Sequence, residues 1–274
     1  MNIFETAKKQ IIICQHRGMC GGNIPGNTIA AFEIALKYGV DMLELDITKS
    51  ADDELFVFHP GTEKRWLCKD IDLRKTPAEE IKKLRWVNSD GNVTEHPIYT
   101  FDEILEHYKG RTFLNIDKFG DSPALILKKI KEHGMESQCI VKCVEKEDAL
   151  SVLEEYAPDV PYLCVTKDHE AHDRLMKRKL NYAGLEIIFE DESSPAAQAE
   201  FIDRMHRDGK IAYGNSILYS YKRILSGVHS DDTALYGDVD TGWGFFAERG
   251  YDVIQTDWTP QLKAYLIQKG LYYR

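Results

Sequence analysis

Glu44 and Asp46 stand two positions apart in the apolar run 41–47. Strand alternation points both to one face and sends Leu43, Leu45 and Ile47 to the other. Side by side, two carboxylates repel each other unless something positive lies between them. A divalent cation meets that need, and oxygen-only ligands favour Mg²⁺ or Ca²⁺ over zinc. The run 111–117 ends in Asn115-Ile116-Asp117 and repeats the pattern, so Asp117 is expected to supply a third carboxylate. An isolated Glu-x-Asp pair is more often a solvated strand edge. Three carboxylates at two consecutive strand ends, each behind strong apolar residues, favour the metal site. Two histidines flank it in sequence: His16 closes the run 11–16, and His59 follows the short run 54–58. Imidazole has the unperturbed pKa nearest neutrality, so a pair can share acid and base roles. Arg17, beside His16, offers a forked donor matched to phosphate oxygens.

These residues need a scaffold that brings strand ends together. Candidate strands are 11–16, 41–47, 111–117, 138–144, 160–165, 182–188, 210–213 and 252–256. Helix-like segments lie between them at 27–38, 100–108, 123–133, 146–156, 169–177, 195–207, 219–225 and 259–269. Strands alternating with helices imply a parallel sheet covered by helices. Eight such units in 274 residues predict an α/β fold closed as a TIM (β/α)₈ barrel, with an open doubly wound sheet as the alternative. Functional residues of a barrel cluster at the C-terminal ends of its strands, where His16, Glu44, Asp46 and Asp117 fall. The chain reads as one domain over 1–274. A small charged insertion at 60–97, after the second strand, should sit at the active end. A polar stretch at 227–240 should be a long loop before a short helix around 242–248. The glycine-rich turn Gly18-Met19-Cys20-Gly21-Gly22 lacks the spacing of a dinucleotide-binding loop.

Acidic residues number 45 against 35 basic ones, a net charge of −10. This argues against a nucleic-acid partner. It also means that an anionic ester would need a metal or a local basic cluster to offset the protein's own field. No apolar stretch approaches the roughly 20 residues of a membrane span. Of six cysteines, four lie inside apolar strand-like runs and none forms a Cys-x-x-Cys pair, so buried free thiols are expected. The opening MNIFETAKKQ lacks the apolar core of a signal peptide. Together these features predict a cytoplasmic protein.

The chain resembles the glycerophosphodiester phosphodiesterase family of TIM-barrel hydrolases. The likeness is carried by His16-Arg17-Gly18, Asn27-Thr28, the stretch from Gly39 to Asp46, His59, Pro97 to Leu105, Leu114 to Asp117, and Gly250 to Asp257. The resemblance implies metal-dependent hydrolysis of a small glycerophosphodiester to glycerol 3-phosphate and an alcohol. Glu44, Asp46 and Asp117 then match the metal ligands, His16 and His59 the acid/base pair, and Arg17 a phosphate contact.

The chain also departs from the family pattern. Asp117 stands where Glu is usual. The family lysine expected two residues later is here immediately adjacent, as Lys118. On a continuing strand Lys118 would face away from the site, so Lys142, at the end of the next strand, is expected to take the phosphate. His59 precedes Pro60 where Asp is common. Glu186 is expected to line the pocket or pair with Lys142, Asn215 to contact substrate, and Trp243 to wall the glycerol site. Rival readings are a phospholipase D or sphingomyelinase D-like lipid phosphodiesterase, and a non-catalytic phosphodiester-binding barrel. A Schiff-base barrel built on Lys142 would leave the carboxylate trio unexplained.

Overall fold

The computed structural model describes residues 1–218 and 223–273. Its strands are β1 (Ile12–His16), β2 (Met42–Lys49), β3 (Leu55–Val57), β4 (Arg85–Val87), β5 (Val93–Pro97), β6 (Phe113–Asp117), β7 (Cys139–Cys143), β8 (Tyr162–Thr166), β9 (Tyr182–Ile187), β10 (Ile211–Asn215) and β11 (Val253–Thr256). β1 pairs in parallel with both β2 and β11. This closes the order β1-β11-β10-β9-β8-β7-β6-β2 into an eight-stranded parallel barrel, the TIM fold. All eight expected strands are present, each within about two residues at either end.

Alternation explains the two faces of the ring. Leu43, Leu45 and Ile47 point outward into the main core, shared with Phe32, Ile104 and Leu127 of the surrounding helices. Inside the ring, Cys14, Met42, Phe113 and Ile140 form an apolar plug at the N-terminal end. One step of two residues along those same strands brings the polar set His16, Glu44, Asn115 and Lys142. A short helix not anticipated from the sequence, Ile3–Ala7, caps the plug by burying Ile3. Asn2 holds its first turn, accepting the Phe4 N–H at 3.0 Å.

β9 carries an extra residue. Leu163 of β8 pairs with Gly184 where Tyr162 pairs with Tyr182. A Cβ on Gly184 would meet the Ile211 carbonyl oxygen, so only glycine fits there. The bulge shifts side-chain parity: Ala183 faces the inner plug, Leu185 the outer core, and Glu186 the barrel interior.

Leu73, Ile81 and Trp86 of the segment 60–97 are buried together with the flanking Phe56, Phe58 and Ile98 in a satellite core. The segment contains short helical turns, as its pattern suggests around 77–85, and an antiparallel hairpin, β4–β5, that the pattern does not indicate. Asn88, in the hairpin turn, donates to Asn23 of the first βα loop at 2.8 Å, which places the insertion at the active end.

The late region differs from expectation. Within 227–240 lies a helix, Asp231–Tyr236, whose N-cap Ser230 accepts the Thr233 N–H. The expected helix 219–225 falls partly outside the described residues, and 223–225 are not helical. The helix expected around 242–248 is a π-turn, Asp240–Gly244, running into a short helix, Phe245–Glu248. No helix among the described residues is long and apolar enough to cross a membrane.

Candidate active site

β2 and β6 lie side by side, with Glu44 opposite Asn115 and Asp46 opposite Asp117. This register brings one oxygen from each of Glu44, Asp46 and Asp117 within 4.8 Å of the others. Glu44 and Asp46 are buried. Burial, with Asp46 beside it, pushes the Glu44 carboxyl up to about 7 against the pull of His16 and Lys142. Burial would also raise Asp117, but Lys142 and Lys118 hold it below the usual carboxylate range.

The partners of Asp46 are unevenly shared. Its Oδ2 accepts from Asn27 Nδ2 at 3.0 Å and lies 2.7 Å from Arg17 Nε. Among the described residues its buried Oδ1 has no hydrogen-bond partner; Lys118 Nζ lies 3.7 Å from it and His59 Nε2 3.9 Å. A buried oxygen left bare and grouped with two other carboxylates fits a divalent cation, which would complete its coordination.

The first βα loop holds this arrangement from one side. Arg17 donates its N–H to Glu44 Oε2 at 3.2 Å. The loop turns at Arg17, Gly18 and Asn27, all with positive φ. A side chain at Gly18 would press within 2.8 Å of the Phe32 backbone nitrogen. Asn27 closes a two-way clamp, accepting the Asp46 N–H at 3.3 Å.

Both histidines are held in a fixed tautomer. His16 Nδ1 lies 2.9 Å from the Asp257 carboxylate, and His59 Nδ1 lies 3.0 Å from the Pro60 carbonyl. Both partners only accept, so each Nδ1 carries its proton. Burial works to lower the pKa of His16, but the Asp257 bond and the Glu44 charge raise it above the ordinary value. For His59, burial prevails over the attraction of Asp46, and Arg17 and Lys118 add to the lowering.

The barrel mouth opens into a cleft of about 710 Å³. Glu44, His59, Asp117, Lys142, Glu186 and Asn215 line it, together with Lys118, Lys146, Lys167 and Arg223. Its floor is a polar network. Lys142 Nζ lies 2.9 Å from Glu186 Oε2 and 4.0 Å from Glu44 Oε1. Asn215 donates to Glu186 Oε1 at 2.8 Å. Asn115 donates to the Tyr213 hydroxyl at 2.9 Å, and that hydroxyl donates to Gln255.

Residues 16–214 match the glycerophosphoryl diester phosphodiesterase family. The chain belongs to this family. A glycerophosphodiester phosphodiesterase of Caldanaerobacter subterraneus is 31% identical over 138 residues, which are 47% of this chain and 56% of that relative. The chain thus spans about half the length of this curated relative. A glycerophosphoryl diester phosphodiesterase from Parabacteroides distasonis superposes with a TM-score of 0.79 at 19% identity, over 100% of this chain and 94% of that one. A phosphodiesterase of Oleispira antarctica, solved with the product sn-glycerol-3-phosphate, superposes at 0.66 and 18% identity, over 96% and 99% of the two chains. At these identities the two superpositions establish the shared barrel.

Two residues depart from their expected places. Lys118 does not face away from the family site. β6 ends at Asp117, and Lys118 adopts a left-handed backbone with φ 64°. Strand parity therefore stops applying, and its ammonium returns to 2.8 Å from Asp117 Oδ2. Trp243 does not wall the cleft. The π-turn directs its indole into the outer core, where Nε1 donates to Asp231 Oδ1 at 2.7 Å. Lys142 points inward as expected, and its partner is Glu186. Arg17 and His16 stand beside the carboxylates rather than in the cleft wall. Asp257 and Asn27 fall in segments that carry the family likeness, and the sequence pattern assigns neither a role. Asp257 lies one residue past β11, and an acid at a strand end is the same signal that marked Glu44 and Asp46.

Proposed function

We propose that the protein hydrolyses small glycerophosphodiesters to sn-glycerol 3-phosphate and an alcohol. Glu44, Asp46 and Asp117 would hold one divalent cation, Mg²⁺ or Ca²⁺. The observation that carries this reading is the bare, buried Oδ1 of Asp46 grouped with two further carboxylates beside a cation-lined cleft. When bound, such a cation polarises a phosphoryl oxygen and offsets charge developing at phosphorus. Lys118 and Lys142 add fixed positive charge to the cleft and favour an anionic ester there. His16 and His59 divide the two proton transfers, one taking a proton from the nucleophile and the other giving one to the leaving alkoxide. Asp257 and the Pro60 carbonyl keep their rings oriented for it. Residues 1–274 act as one catalytic domain in this reading. All six cysteines are free thiols, which supports a reducing compartment.

The test is a hydrolysis screen over the choline, ethanolamine, inositol and glycerol diesters of sn-glycerol 3-phosphate, scored by release of that product. At least one is cleaved, and His16→Ala and His59→Ala each slow it by about 10²–10⁴-fold with unchanged melting temperature. No release from any diester with either metal would refute the activity. Normal turnover in both variants would refute the histidine roles.

A further inference from the structure

Asp231 is 2% exposed and forms no ion pair among the described residues. Its Oδ1 accepts from Ser216 Oγ at 2.6 Å, Thr256 Oγ1 at 2.7 Å and Trp243 Nε1 at 2.7 Å. Its Oδ2 accepts the backbone N–H of Asp257 at 2.9 Å. Burial pushes its carboxyl up to about 6, against the lowering effect of these four bonds, so at neutral pH it remains an acceptor for all of them. An asparagine of the same shape would turn an NH₂ toward one of the four donors. The site therefore selects a carboxylate, and a buried carboxylate with hydrogen bonds but no ion-pair partner is costly to keep without a purpose.

The purpose lies one residue further on. Asp257 places its own carboxylate 2.9 Å from His16 Nδ1, yet that side chain is 45% exposed and sits just past the end of β11. Thr256 and Asp257, which carry the chain out of the barrel, are both tied to Asp231. The donors on Oδ1 come from the end of β10, the π-turn and the end of β11, and they fix the direction in which Oδ2 points. We propose that Asp231 is a positioning residue: it fixes the backbone of Asp257 so that the Asp257 carboxylate orients the His16 imidazole. The inference rests on the acid/base role given to His16 under the proposed function.

The experiment measures kcat and KM for sn-glycero-3-phosphoethanolamine with Mg²⁺ (or whichever diester and metal the screen finds best). The proteins are the wild type, Asp231→Asn, Asp257→Asn, their double variant and His16→Ala. Misplacing a reacting group by about 1 Å can cost 10²-fold, so Asp231→Asn should lower kcat by about 10- to 100-fold with KM within about twofold. The double variant should be no slower than the slower single one, because the two residues act through one contact. A merely structural role would instead lower the folded fraction and leave the surviving enzyme with a normal kcat. Should Asp231→Asn not fold, Ser216→Ala removes one donor to Asp231 together with the hydroxyl's 2.8 Å contact to the Gln255 carbonyl. Its smaller loss of kcat should disappear in the Asp257→Asn background. Wild-type kcat in folded Asp231→Asn, or losses that multiply in the double variant, would overturn the inference. So would a Ser216→Ala loss that persists in the Asp257→Asn background. Normal turnover in both Asp257→Asn and His16→Ala would overturn the role of His16 itself, and the inference with it.

Discussion

Lys118 and Lys142 both face the carboxylates but stand in different surroundings. Lys118 keeps about a quarter of its side chain exposed at the cleft, beside Asp117. A hydrogen bond to a charged group is worth about 1.5–3 kcal/mol, so Lys118→Met should lower kcat/KM for a glycerophosphodiester by about 10- to 100-fold with little change in stability. An unchanged kcat/KM would place the phosphate elsewhere. Lys142 is buried between Glu186 and Glu44. Removing one partner of a buried pair costs about 3–5 kcal/mol because the other charge is stranded. Lys142→Met should therefore show that loss in denaturant unfolding, and Lys142→Met combined with Glu186→Gln should recover part of it. A single variant as stable as the wild type would show that the pair is not coupled. Strand parity, read from the sequence, was right for Lys142 and wrong for Lys118. A non-glycine residue in the left-handed region leaves no mark in a pattern of residue types. Trp243 was misplaced for a related reason: aromatics serve cores and pockets alike, and its hidden partner Asp231 lay in a stretch that read as loop.

Among the elements, the barrel strands were legible because each is a short apolar run, and the helices between them because they are amphipathic. The helix Asp231–Tyr236 was not, since its six residues carry almost no apolar stripe and it depends on the Ser230 cap and the buried Asp231. The bulge at Gly184 was equally silent, although Glu186 inside the barrel depends on it. One contact between helices has a pH signature. Glu33, on the helix Ile29–Lys37, accepts from both Arg111 terminal nitrogens at 2.7 and 3.0 Å and pairs with His107 of the helix Phe101–Tyr108. The Arg111 bonds outweigh burial, and with His107 they bring its carboxyl down to about 2 from 4.5. A depressed acid adds stability above its unfolded pKa and loses it as pH falls through the folded one. Wild type should thus exceed Glu33→Gln in stability at neutral pH. That advantage should shrink between about pH 4.5 and 2, and salt should weaken it. A difference between the two proteins that stays constant from pH 7 to pH 2 would contradict this.

At the scale of the molecule, a chain of net charge −10 repels the anionic ester proposed as its substrate. The cleft is locally different: Lys118, Lys142, Lys146, Lys167 and Arg223 line it, and the cation proposed for the carboxylates at its base would add further positive charge. The barrel makes both possible, since it gathers at one end residues that are spread from His16 to Asp257. The insertion at 60–97 packs beside that end on its own small core. In the proposed function this site hydrolyses glycerophosphodiesters only with a divalent cation bound. The most direct test is turnover by protein stripped of metal by exhaustive chelation and verified by elemental analysis, before and after Mg²⁺ or Ca²⁺ is restored. Stripped protein should release no sn-glycerol 3-phosphate, and addition of one of these ions should restore turnover. Full turnover by verified metal-free protein would contradict the metal requirement.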